Sequence, residues 1–200
     1  KLMKAYYAKQ DAEKLSGKGD TSQKLTLMKT SADSLKKSAD ALNDSSLWEK
    51  KKIKKKDEKT GEEIEVEDYD WDKITKAVKS FVEDYNDVVK EAGESNTKDV
   101  LRNASWMTGM TDKNSNMLAK IGITIGKGNK LELDEDALKQ ADISSLKTIF
   151  TGYNSFVSKI SQKATGISNA ANRASATYTN NGTYSKTDSS LTSSKIDKEV

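Results

Sequence analysis

Apolar residues along this chain fall into three seams whose spacings alternate between four and three, the period of helices that pack side by side. The first seam is Met28, Ala32, Leu35, Ala39 and Leu42, on a helix expected from Ser22 to about Ser45. Leu47 and Trp48 would close that helix against an apolar surface. The second seam is Ile74, Val78, Phe81, Tyr85, Val88 and Ala92, widened by Ala77, Val82 and Val89, so its helix should be the more deeply buried. The third is Tyr153, Val157, Ile160, Ala164, Ile167, Ala171 and Ala174, with knobs that shrink toward the C-terminus. A less regular helix is expected around Val100, Leu101, Ala104, Met107 and Met110, followed by a weakly structured stretch from Gly109 to Asn116. Leu2, Met3, Tyr6 and Tyr7 suggest a short first helix, broken between Gly17 and Asp20.

Two segments depart from helical period. In Ile121 to Ala141, Ile121, Ile123 and Ile125 alternate with small residues, and Leu131 and Leu133 alternate with Lys130 and Glu132. Gly126, Gly128 and Asn129 between them tolerate positive φ, which a tight turn needs. Asp134 then stands where a helix N-cap belongs, ahead of Glu135 and Asp136. The second hairpin joins a basic run, Lys50, Lys51, Lys52, Lys54, Lys55 and Lys56, to an acidic one, Glu62, Glu63, Glu65, Glu67, Asp68, Asp70 and Asp72. Asp57 to Gly61 supplies its turn, and Ile53, Ile64 and Val66 its apolar side. Facing strands of opposite charge attract modestly, and the acids cancel the field that a nucleic acid or an anionic membrane would need.

The expected fold class is therefore mainly α: a helical bundle with coiled-coil-like seams plus one or two small β-hairpins. The expected organisation is N-terminal helices over 1–48, a charged hairpin over 49–70, a helical region over 71–175 that contains the hairpin 121–133, and a Ser/Thr-rich tail over 176–200. Asp70 or Asp72 can cap the second seam helix and Gly93 should end it, with Asn96 or Thr97 capping the next. The seam residues Met28, Leu35, Leu42, Ile74, Val78, Phe81, Tyr85, Val88, Tyr153, Val157, Ile160 and Ile167 are the candidates for contacts between helices, within one chain or between copies. Trp48, Trp71 and Trp106 are expected as anchors of separate helix junctions.

Composition narrows the chemistry. The 200 residues include no His, no Cys and no Pro, with 32% charged and 34% hydrophobic residues. Without His or Cys the commonest metal ligands, the neutral-pH base and the thiol nucleophile are all missing. The carboxylates Asp134, Glu135 and Asp136 could in principle serve acid–base work, but a helix start explains them. No catalytic, metal or cofactor site is expected, and no run is apolar enough to span a bilayer.

The order of motifs carries a family resemblance. Phe81 to Asn86 (FVEDYN) falls late in a seam helix and Leu101-Arg102 follows a polar loop; then come Leu118 to Thr124 (LAKIGIT), Lys130 to Leu138 (KLELDEDAL) and Ile149-Phe150. From Trp71 to about Ala174 this series resembles the C-terminal half of the flagellar filament-capping family, the flagellar hook-associated protein 2 family. The resemblance implies a structural protein of the bacterial flagellum, not an enzyme, exported without a cleaved signal peptide. It also implies self-association into a homo-oligomer at the filament tip and contact with flagellin or other axial proteins, with no nucleic acid and no membrane insertion. The alternative from a different class is a cell-surface helical binding module, an adhesin or adaptor whose seams all close internally.

Overall fold

The computed structural model describes residues 19–56 and 61–176. The expected first helix at Leu2 to Tyr7, most of the turn 57–61 and the tail beyond residue 176 lie outside the described residues. Within them the chain is mainly α, with seven α-helices and two small antiparallel hairpins.

Helix α1 (Ser22–Asn43) begins at Thr21, whose hydroxyl accepts the Lys24 amide. A 3-10 turn (Ser45–Trp48) leads to the hairpin of β1 (Lys51–Lys56) and β2 (Glu63–Asp68). Helix α2 (Trp71–Gly93) is capped by Asp70, one of the two expected carboxylates, and ends at Gly93 as its sequence indicates. Helix α3 (Lys98–Lys113) has Thr97 at its N-cap. The stretch from Gly109 to Asn116, expected to be weakly structured, is instead almost wholly helical. Helix α3 runs through it, and Asn114 only separates α3 from the short α4 (Ser115–Ala119). Burial of Met110 and Thr111 overrides the poor helix propensity of Gly109 and Thr111. Then follow β3 (Ile123–Ile125), β4 (Leu131–Leu133), α5 (Glu135–Gln140), α6 (Ile143–Phe150) and α7 (Phe156–Ser175).

Helix α1 is the centre of the bundle, with α7 its main partner, α2 its second, and α3 packed on the far part of α7. Named contacts give the directions. Lys24 near the start of α1 donates to the Glu94 carbonyl beyond the end of α2, so α1 and α2 are antiparallel. Ser161 of α7 donates to Asp40 at 2.7 Å, and Ser168 lies beside Asp33, so α1 and α7 are antiparallel too. Asp33 and Asp40 are seven residues apart, as are Ser161 and Ser168. These two polar pairs flank the apolar seam at the same heptad period and fix its register. Where α3 and α7 cross, a Cβ added at Gly166 would come within 2.7 Å of the Asn103 side chain.

All three seams feed one apolar cluster running from Leu25 to Ala171. The small knobs Ala32 and Ala39 of α1 and Ala164 and Ala171 of α7 are fully buried in it. Elsewhere aromatic rings fill the space. Trp48 stacks on Phe150 (centroids 5.5 Å apart, planes 10° from parallel), and Phe81 meets Phe150 and Phe156 edge-on. The Trp48 indole N–H donates to the Leu42 carbonyl at 2.8 Å, satisfying the one polar atom that burial would orphan.

The three tryptophans have different fates. Trp48 is fully buried and Trp71 packs on the core edge, but Trp106, expected as a junction anchor, is 49% exposed. It sits on the outer face of α3 under the Lys163 ammonium, 4.3 Å from the ring centroid. Truncating Trp48 to Ala should therefore cost about 3–5 kcal/mol of unfolding free energy. Trp106→Ala should cost no more than about 1 kcal/mol, as for other surface changes. Urea unfolding of the two variants beside the parent would check the contrast.

Candidate functional site

Apolar groups that a fold leaves uncovered are candidates for contact with a partner. Eleven of the twelve seam candidates are at most 2% exposed: Met28, Leu35 and Leu42 on α1; Ile74, Val78, Phe81, Tyr85 and Val88 on α2; Val157, Ile160 and Ile167 on α7. The seams thus meet one another inside a single chain. Tyr153, placed by its spacing at the head of the third seam, does not join it. It lies in the turn before α7 and is 83% exposed, because Ser155 caps the helix by accepting the Ser158 amide and the seam begins at Phe156 and Val157. The exposed large apolar side chains among the described residues are Leu27, Ile64, Trp106, Met117 and Tyr153. Trp106 is the largest, at the edge of a shallow groove of about 420 Å³ that includes Arg102, Gly109, Met110 and Lys113.

Two of the motif segments, FVEDYN and KLELDEDAL, meet in one corner. Asn86, the last residue of FVEDYN, uses its side-chain amide as a strand would use its backbone. Its Nδ2 donates to the Leu131 carbonyl at 2.9 Å, and its Oδ1 accepts the Leu131 amide at 2.7 Å. Strand β4 is thereby fastened to α2. The adjacent Tyr85 hydroxyl donates to Thr111 at 2.9 Å, and Thr111 donates to the Met107 carbonyl, fastening α3 to the same helix. Burial pushes the Tyr85 phenol far above its ordinary pKa, so it remains a neutral donor.

The hairpin of β3 and β4 pairs Ile123 with Leu133 and Ile125 with Leu131. Its turn takes positive φ at Gly128 and Asn129, the residues chosen for that tolerance. Gly122, at φ +79°, allows a closer approach still: a Cβ there would lie 2.6 Å from the Asp134 carbonyl. Two members of the carboxylate cluster have structural roles. Asp134 accepts the Asp136 and Ala137 amides at the start of α5, and Glu135 pairs with Lys79 of α2 at 3.1 Å. Among the described residues no group of three or more Asp or Glu could hold a metal ion, and no helix is long and apolar enough to cross a membrane.

A second fastening had no recognisable signal in the sequence. Asp20, just before α1, inserts its carboxylate into the loop between α2 and α3. It accepts hydrogen bonds from the Ser95 hydroxyl (2.8 Å), the Asn96 amide (2.9 Å) and the Thr97 hydroxyl (2.7 Å), and pairs with Lys24 at 3.3 Å. Thr97, expected as a side-chain cap, holds the N-cap position, but its hydroxyl is committed to Asp20. Burial alone would raise the Asp20 pKa, but the three hydrogen-bond donors and Lys24 outweigh it and hold the carboxyl below its ordinary value.

The Asp20 bonds require the ionised carboxylate, so their contribution is complete above the ordinary carboxyl pKa and is lost as pH falls through the lower folded value. Asp20→Asn should lower stability at neutral pH by about 1–3 kcal/mol. The gap between parent and variant should close below about pH 4; denaturant unfolding at stepped pH measures it. Asn86→Ala orphans both backbone groups of Leu131 and should cost about 1–3 kcal/mol. It should also speed amide hydrogen exchange at Leu131 while leaving α1 and α7 protected.

Comparisons with known proteins place these elements. No curated protein and no solved structure matches the chain. The family model for the flagellar hook-associated protein 2 C-terminus matches residues 95–199, just over half of the chain. The match starts after FVEDYN, takes in IGIT and KLELDEDAL, and runs on through the Ser/Thr-rich tail beyond Ala174, where the motif series ends. By this measure the chain belongs to the family of the flagellar hook-associated protein 2 C-terminus.

Proposed function

We propose that this chain is a filament-cap protein of the bacterial flagellum, one that oligomerises at the filament tip and assists insertion of flagellin. The family match over residues 95–199 carries this reading. The fold adds a constraint: with the seams closed inside one chain, contacts between copies and with axial proteins must use surface outside them. The described surface that remains includes the charged β1–β2 hairpin, the Trp106 face of α3, Leu27, Met117 and Tyr153. The role is mechanical, and the location that goes with it is extracellular, at the flagellum.

Sedimentation velocity from micromolar concentration upward should show a concentration-dependent oligomer, and immobilised protein should retain flagellin. A strictly monomeric chain with no affinity for flagellin would overturn the reading and favour a self-contained binding module.

A further inference from the structure

The β1–β2 hairpin has two properties that the bundle does not use. Among the described residues its sheet holds two strands, and no third described strand pairs with the outer edge of either. Its charges are sorted by strand: β1 reads KKIKKK and β2 reads EIEVED. The register opposes Lys52 to Glu67, Lys54 to Glu65 and Lys56 to Glu63 on one face, with Ile53 opposite Val66 on the other. Sorting is not needed for that attraction, since alternating signs along each strand would give as many opposite pairs. What sorting adds is a basic outer edge on one side and an acidic outer edge on the other.

Charged edges ordinarily prevent strands of neighbouring molecules from pairing. Here that repulsion is selective. A β1 edge repels another β1 and a β2 edge repels another β2, because like charges directly opposite destabilise a sheet. A β1 edge attracts a β2 edge. Two-fold pairing of like strands is therefore disfavoured and head-to-tail pairing is favoured, the kind of contact that closes into a ring or continues as a helix. Pairing β2 antiparallel with the next copy's β1 repeats the polarity within the hairpin, so all tips point the same way and each Lys row gains an acidic row on its second side.

The existing ion pairs leave room for this. Lys54 and Glu63 lie 3.6 Å apart with side chains 71% and 63% exposed. The base of the hairpin is held in place, because Tyr69 packs edge-on against Trp71 and lies under Lys50 and Lys147, the latter from α6.

We propose that the outer edge of β1 binds the outer edge of β2 in a second copy of this chain, making the hairpin the head-to-tail contact between copies. This rests on the reading of the chain as an oligomeric cap and names the surface that joins it.

The test uses a variant that exchanges the two signs: Lys52→Glu, Lys54→Glu and Lys56→Glu together with Glu63→Lys, Glu65→Lys and Glu67→Lys. The three charge pairs of that face are kept with their signs reversed and Lys51–Asp68 is left as it is, so every opposite-charge pair inside the hairpin survives and the variant folds as the parent does. Each protein alone should sediment as an oligomer, and both assemblies should weaken as salt shortens the screening length from about 30 Å to about 3 Å. Mixed with different fluorophores, the two should sort. A head-to-tail junction between them opposes like charges along the face that carries the six substitutions, so energy transfer from mixed complexes should fall about tenfold or more below the statistical level. Free mixing of parent and variant would overturn the proposal, as would a parent that stays monomeric at low salt. Flagellin retention, measured on the same samples, judges the cap function separately: proteins that mix freely yet hold flagellin would remove the hairpin contact and leave that function standing.

Discussion

The antiparallel pairing of α1 with α7 is the constraint on which the rest of the molecule depends. Its buried knobs include Ala32 and Ala39 on α1 and Ala164 and Ala171 on α7, small residues that do little by themselves to fix a register. Asp33 with Ser168 and Asp40 with Ser161 remove that freedom. A slip by one heptad would leave one carboxylate without its hydroxyl, and a slip by any other step would lose both. Helix α2 and the aromatic group around Trp48 and Phe150 pack on a seam whose alignment is already set.

Around this pair the fold distributes two kinds of attachment. The Asn86 amide and the Tyr85 hydroxyl tie the β3–β4 corner and α3 to one helix, within the apolar body. Asp20 ties the entry to α1 onto the loop between α2 and α3 from outside that body. The first attachment is neutral and indifferent to pH; the second depends on one ionised carboxylate. The charged hairpin takes part in neither, which is why its strand-sorted charges ask for an explanation outside the bundle.

The parts legible from sequence were those with a strong local pattern. Helix period gave α1, α2 and α7. The Gly and Asn turn gave the β3–β4 hairpin, and the opposite charge runs gave β1–β2. Capping chemistry gave Asp70 and Asp134. What escaped was non-local. Nothing in the neighbourhood of Asp20 shows that it will meet Ser95 and Thr97. Tyr153 fits the heptad arithmetic of α7, but the cap at Ser155 starts the helix after it. Trp106 has the composition of an anchor and faces solvent, because the buried stripe of α3 passes through Ala104, Met107 and Met110 instead. Exposure depends on which side of a helix meets a neighbour, and spacing within one irregular helix does not decide that.

The pairing of α1 with α7 also bears on when the molecule can become folded. These helices lie more than a hundred residues apart in the chain, with every other described helix and strand between them. A chain emerging from a narrow passage, whichever end leads, presents one helix of the pair long before the other. Until both are free, the apolar stripe of the leading helix lacks its main cover, and closing so long a loop is the slow, entropically costly step. The topology therefore delays burial of the α1–α7 seam until both helices are out, a form of timing written into the order of the helices rather than into any single contact.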